Sequence, residues 1–111
     1  MKAVCIYKYG GPEVLVYEDA PCPHPGEGEV LVKVHAAGVN PVDWKIREGY
    51  LQEMLHSTLP LILGWDVSGV VTALGTKLLR LKEGDEVFSH PDVARDGAYA
   101  DYQTERMNLA P

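Results

Sequence analysis

The sequence is short of several things, and each shortage removes a class of protein. Its 111 residues include only two cysteines. Two thiols make neither a disulfide framework nor a cysteine-rich metal site. Ten Lys and Arg face sixteen Asp and Glu, for a net charge of −6. That balance argues against nucleic acid or an anionic membrane as a partner, since either wants a basic face. No apolar run approaches the roughly 20 residues of a membrane span. The N-terminal stretch, Met1 to Gly11, alternates apolar and polar residues and lacks the apolar centre of a signal peptide. Cytoplasmic residence is therefore the expectation. No G-x-G-x-x-G run and no βαβ pattern occurs, so no dinucleotide cradle is expected in these residues. Internal repeats and low-complexity tracts are missing too. What is present is 46% hydrophobic, which suits one globular domain with one core.

The strongest local signal is the stretch Leu59 to Gly75. An apolar run, Leu61 to Leu63, leads into Gly64, then Trp65 and Asp66, then a small-residue strand from Val67 to Leu74. A glycine inside a strand, here Gly69, marks close approach of another backbone, a bulge or a bend. The Gly64-Trp65-Asp66 corner can be read two ways. Either both side chains point into a cleft, or Trp65 caps the core and Asp66 faces water.

Around this stretch the pattern is mostly β. Lys2 to Tyr7 and Val14 to Asp19 alternate and flank a Gly10-Gly11-Pro12 turn, which predicts a hairpin. Cys5 falls in the first strand as a small buried residue. Cys22 and His24 sit in a proline-rich loop, too isolated a pair for a metal site. Glu29 to Ala37 is the clearest strand, dense in valine. Asn40 to Gly49 reads as a short helix, with Asn40 as N-cap, Pro41 at the first position, Asp43 in the first turn and Gly49 as the stop. Tyr50 to Thr58 reads as an irregular loop. Leu78, Leu79 and Leu81 are expected to tuck against the β structure. Glu86 to Phe88 and Gly97 to Thr104 read as strands, the latter with Ala98, Ala100 and Tyr102 on one face and Tyr99, Asp101 and Gln103 on the other. A polar loop, His90 to Asp96, lies between them, and Met107 to Pro111 is a short final segment. About seven short strands with frequent glycine turns suit a small barrel or sandwich.

Five ordered runs carry a family likeness. They are Gly26-Glu27-Gly28-Glu29-Val30-Leu31-Val32-Lys33-Val34, Ala36 to Asp43, Gly64-Trp65-Asp66 with Ser68-Gly69-Val70-Val71, Gly84-Asp85-Glu86-Val87, and Gly97-Ala98-Tyr99-Ala100. Together they resemble the N-terminal, GroES-like domain of the medium-chain dehydrogenase/reductase superfamily, within it the zinc-independent quinone oxidoreductase branch. The resemblance covers essentially the whole chain, residues 1–111. It implies a mainly β fold, a GroES-like partly open β-barrel with one or two short helices. It also implies that a Rossmann cofactor domain, absent from this chain, follows it; Leu109-Ala110-Pro111 resembles the join.

The same resemblance implies a site. Zinc-dependent relatives place a cysteine where Asn40 stands, and a histidine and a glutamate where Trp65 and Asp66 stand. Asn40 and Trp65 are poor zinc ligands, and the four-cysteine lobe of structural zinc is missing, so no metal is expected. The implied reaction is hydride transfer from NADPH, bound mainly by the other domain, to a small quinone or α,β-unsaturated carbonyl. Asn40 and Asp43 are the implied catalytic residues, Asn40 also contacting the nicotinamide. Trp65, Asp66 and Tyr50 are the implied substrate-binding residues, with Trp65 stacking on a flat acceptor. Many relatives carry a tyrosine where Lys45 stands, and Tyr50 lies a little further on. Neither nucleic acid nor membrane is implied as a partner, and oligomers are compatible with the family. The alternative function is a free-standing GroES-like module that binds or scaffolds without catalysis.

Overall fold

The structure, a computed structural model, describes residues 1–55, 58–77, 80–93 and 95–106. In order the elements are β1 (Lys2–Ile6), a 3-10 turn (Pro12–Val14), β2 (Val16–Asp19), β3 (Glu29–Ala37), α1 (Pro41–Glu48), α2 (Gln52–Leu55), β4 (Leu61–Ile62), β5 (Val67–Leu74), β6 (Glu86–Ser89) and β7 (Tyr102–Arg106). The strands form two antiparallel sheets, ordered β2-β1-β4 and β6-β5-β3-β7. They do not close into a barrel, as the partly open GroES-like architecture implies. No helix among the described residues is long and apolar enough to cross a membrane.

Each sheet has its own apolar layer. Alternation along β3 and β5 turns Val30, Val32 and Val71 inward, where Val87 of β6 and the half-buried Leu81 meet them. Burying a valine stabilises a fold by roughly 1.5–3 kcal/mol. The other layer gathers Ile6, Val14, Ile46, Leu61, Leu63 and Trp65. Ile46 anchors α1 to it. The helix starts and stops where its caps dictate. Asp43 Oδ2 accepts the Asn40 backbone N–H at 2.7 Å. Gly49 takes φ of 89°, and its N–H donates to the Ile46 carbonyl at 3.0 Å.

Two glycines are required by their surroundings. Gly64 has φ of 98° and lies under the Tyr99 ring, so any side chain there meets both strain and a clash. A Cβ on Gly69 would run into the Lys33 carbonyl of β3. Mid-strand Gly69 therefore marks a close backbone approach.

The structure departs from the sequence reading in three of its elements. Val14, expected to open the second strand, instead ends the 3-10 turn, and β2 starts at Val16. Residues 52–55 form α2 inside the stretch read as irregular, because a helical turn brings Leu51 and Leu55, four apart, onto the same core layer. The last strand also starts later than expected. The backbone of residues 97–99 bonds instead along residues 62–64: Gly97 N–H to Ile62 O at 2.7 Å, Ala98 N–H to Gly64 O at 2.6 Å, Tyr99 N–H to Leu63 O at 2.9 Å. Ala100 bridges to Ala3. The Asp101 carbonyl then accepts the Val34 N–H of β3 at 2.9 Å, and from Tyr102 the chain runs as a strand of the second sheet. The crossing from one sheet to the other breaks the expected alternation, and Gln103 and Glu105 become the inward residues of β7. Leu78, Leu79 and Met107 to Pro111 lie outside the described residues.

Candidate functional site

Antiparallel register assembles the site. Val67 opens β5 and pairs with Ser89, the last residue of β6, and with Ala37, the last of β3. One step beyond these pairs, Asp66 therefore stands between His90 on one side and Gly38 on the other. The Gly38 N–H donates to the Asp66 carbonyl at 2.9 Å. Two residues past Gly38, Asn40 begins α1. One end of the sheet thus collects residues from three distant parts of the chain.

Asp66 is the hub. The Asn40 side-chain amide donates to Asp66 Oδ2. His90 Nδ1 lies 2.8 Å from Asp66 Oδ1. An ionised carboxylate only accepts, so the amide turns its NH2 group to Oδ2 and the ring carries its proton on Nδ1. The Asp66 side chain is 43% exposed and that of His90 68%. The hydrogen bonds from His90 and then Asn40 hold the Asp66 carboxyl below the usual carboxylate range.

A buried layer lies below. Asp43 is 5% exposed, and its Oδ2 holds the Asn40 backbone. The Tyr99 hydroxyl is likewise buried, close to the Asp43 carboxylate. Burial, and then the negative charge of Asp43, push the Tyr99 phenol up to about 12. Trp65 has no exposed surface; its indole N–H donates to the Arg95 carbonyl at 3.0 Å. Arg95 is held in turn by Glu29 at 2.6 Å and Thr104 at 3.2 Å. The loop carrying His90 is thus pinned from inside by Trp65 and from outside by Asp66.

Of the residues singled out in the sequence, Asn40 and Asp66 meet directly and Asp43 supports them from beneath. Trp65 cannot stack on an acceptor, because its ring is wholly enclosed by core side chains. Tyr50 is exposed at the far end of α1, about 12 Å along the axis for eight residues. There its ring meets that of Trp44 edge-on, with centroids 5.8 Å apart. His90 was not legible as a site residue. It shows no ligand spacing in sequence, and only the β5–β6 register sets it beside Asp66. Among the described residues no three of His, Cys, Asp and Glu gather as metal ligands.

The open two-sheet architecture is that of a GroES-like domain. Residues 26–109 match the family described as the alcohol dehydrogenase GroES-like domain, and the chain belongs to that family. Many of the proteins it is similar to are quinone oxidoreductases. The pig quinone oxidoreductase is 43% identical over 103 residues, which is 92% of this chain and 30% of the relative. The structure of the quinone oxidoreductase from Coxiella burnetii superposes with a TM-score of 0.87 at 36% identity, over 96% of this chain and 34% of that one. The Escherichia coli quinone oxidoreductase complexed with NADPH superposes with a TM-score of 0.86 at 28% identity, over 99% of this chain and 32% of that one. The chain therefore spans about a third of the length of these proteins.

Proposed function

We propose that this chain forms the substrate-side wall of an NADPH-dependent oxidoreductase that reduces quinones or α,β-unsaturated carbonyls without zinc. The observation that carries this reading is the Asn40 amide, held by Asp66 at the N-terminal end of α1. An amide nitrogen has two N–H groups. Asp66 takes one, and the other is free to donate to a carbonyl oxygen. The positive end of the α1 dipole lies beside it, so both favour negative charge growing on that oxygen. A quinone or enone is already electron-poor and needs no Lewis acid.

The donor set does not fit catalytic zinc. Asn40 offers a neutral amide, Trp65 is a buried donor-only indole, and both Asp66 oxygens are engaged. NADPH would supply the hydride. In this reading Asn40 would also contact its nicotinamide end, whereas its phosphates find no Gly-rich strand–helix turn among the described residues. A dinucleotide-binding domain supplied outside these residues completes the enzyme in this reading. The proposed protein works in the cytoplasm on small molecules, with neither nucleic acid nor membrane as partner, alone or as an oligomer.

The test joins this chain to the dinucleotide-binding domain of a relative. Steady-state reduction of quinones and enones with NADPH is expected there. The 111-residue chain alone is expected to bind NADPH weakly, and micromolar calorimetric affinity would contradict the division of labour. Absence of any reduction by the joined protein would favour a non-catalytic binding module.

A further inference from the structure

Reduction of a carbonyl acceptor by hydride also consumes a proton, and the chain places a proton-bearing group at the proposed site. We propose that His90, oriented by Asp66, is the proton donor to the reduced acceptor. The inference rests on the oxidoreductase reading above.

Three observations carry it. First, Asp66 and His90 form an acid–imidazole pair at 2.8 Å, the arrangement that fixes a histidine's tautomer and ring orientation. Second, the other oxygen of that carboxylate holds Asn40, so the oxyanion donor and the imidazole are fixed by a single group. Third, His90 Nε2 has no partner among the described residues, and the side chain is 68% exposed. Nε2 is therefore open both to a ligand and to recharging from water. The depressed carboxyl of Asp66 agrees with an ionised partner for the ring.

The chemistry balances. The hydride brings two electrons and one hydrogen to the acceptor and leaves negative charge on its oxygen, against the Asn40 amide. The Nε2–H bond of the His90 imidazolium breaks as the O–H bond forms. The ring becomes neutral with its remaining proton on Nδ1, facing Asp66, and water restores the proton at Nε2. One hydride and one proton account for both hydrogens gained when a quinone becomes a hydroquinone. Asp66 acts as a positioning residue and transfers no proton.

Other titratable groups lie near His90. Asp92, Arg95 and Asp96 share its loop, and Glu105 of β7 lines the same cavity of about 160 Å³. Burial pushes the Glu105 carboxyl up to about 7, so Glu105 could imitate a histidine in a pH profile. The test is designed to separate the two.

In the protein joined to its cofactor domain, His90→Ala is expected to lower kcat about 10²-fold or more, with little change in KM. It should also remove the alkaline limb of the kcat–pH profile. Added imidazole should restore part of the rate. Glu105→Gln should leave the limb in place. Asp66→Asn should lower kcat and alter the tautomer of neutral His90, read by 15N NMR without substrate: Nδ1–H in the parent, with that preference lost in the variant. If the joined protein reduces quinones but His90→Ala keeps its kcat and its limb, the proton-donor role falls and the oxidoreductase reading stands. If the limb disappears in Glu105→Gln instead, the role belongs elsewhere. If no quinone or enone is reduced at all, both fall. An unaltered tautomer in Asp66→Asn would remove Asp66 from its positioning role.

Discussion

Trp65 has no exposed surface and ends on a carbonyl in the interior, whereas its neighbour Asp66 keeps 43% of its side chain in water and ties two polar residues together. The same contrast separates the regions to which they belong. At the rim, Asn40, Asp66 and His90 are partly exposed, and both Asp66 oxygens have partners. In the interior, Gln103 and Glu105 each keep a side-chain oxygen without one. The acids differ accordingly: partners lower the Asp66 carboxyl, whereas burial raises that of Glu105 even with Arg95 nearby. Solvent access with good partners favours charge, and enclosure with few partners opposes it. The rim is thus suited to chemistry, and the interior to holding the rim in place.

The sharpest way to break this division is Trp65→Ala. Loss of an enclosed indole and its hydrogen bond should destabilise the chain by about 3–5 kcal/mol. A thermal melt close to that of the parent, with a raised quinone KM, would instead return Trp65 to the site.

Asn40→Ala tests the rim. If the amide stabilises a developing oxyanion, its loss should lower kcat as about 2.7–4 kcal/mol would, against about 1 kcal/mol for a lost helix cap. Kinetics and melts on one preparation distinguish the two. Early melting with unchanged kcat would reduce Asn40 to a cap.

Glu105 gives the interior a pH signature. The unfolded carboxyl titrates near 4.5 and the folded one near 7. Between those values the folded state retains a proton that the unfolded state has released. The contribution of Glu105 to stability is therefore fully present below about 4.5 and is lost as the pH rises through about 7, on the order of 3 kcal/mol in all. Glu105→Gln should flatten this part of the stability–pH curve, measured by denaturant melts. An unchanged slope would show that Glu105 finds a partner for its charge.

The smallest effect is expected at Tyr50. Its ring is exposed and touches Trp44 edge-on, a helix length from Asn40, so Tyr50→Ala should raise the quinone KM by a few-fold at most and leave kcat alone. A large fall in kcat would extend the site along α1.

The sequence by itself determined the local elements. The β-branched alternation of Glu29–Ala37 and the Asn40, Pro41 and Gly49 signals of α1 act over a few residues, and both elements lie where those signals put them. Gly69 announced a close approach, a bulge or a bend, and the pairing of β5 with β3 decided which. The β-rich architecture was legible too, from the glycine turns and from the family motifs. What the tertiary structure decided was everything that depends on pairing between distant strands. Residues 97–100 look like the start of a strand, but their hydrogen bonds go to residues 62–64 and to β1, so the inward positions of β7 pass to Gln103 and Glu105. Trp65 and Asp66 offered two readings, and the close approach of the loop held by Arg95 enclosed the indole. His90 became a site residue because Val67 pairs with Ser89, a register that turns a gap of 24 residues into a contact of 2.8 Å. Register is set by the burial of whole sheet faces, a sum over many side chains, and no short run of sequence contains it.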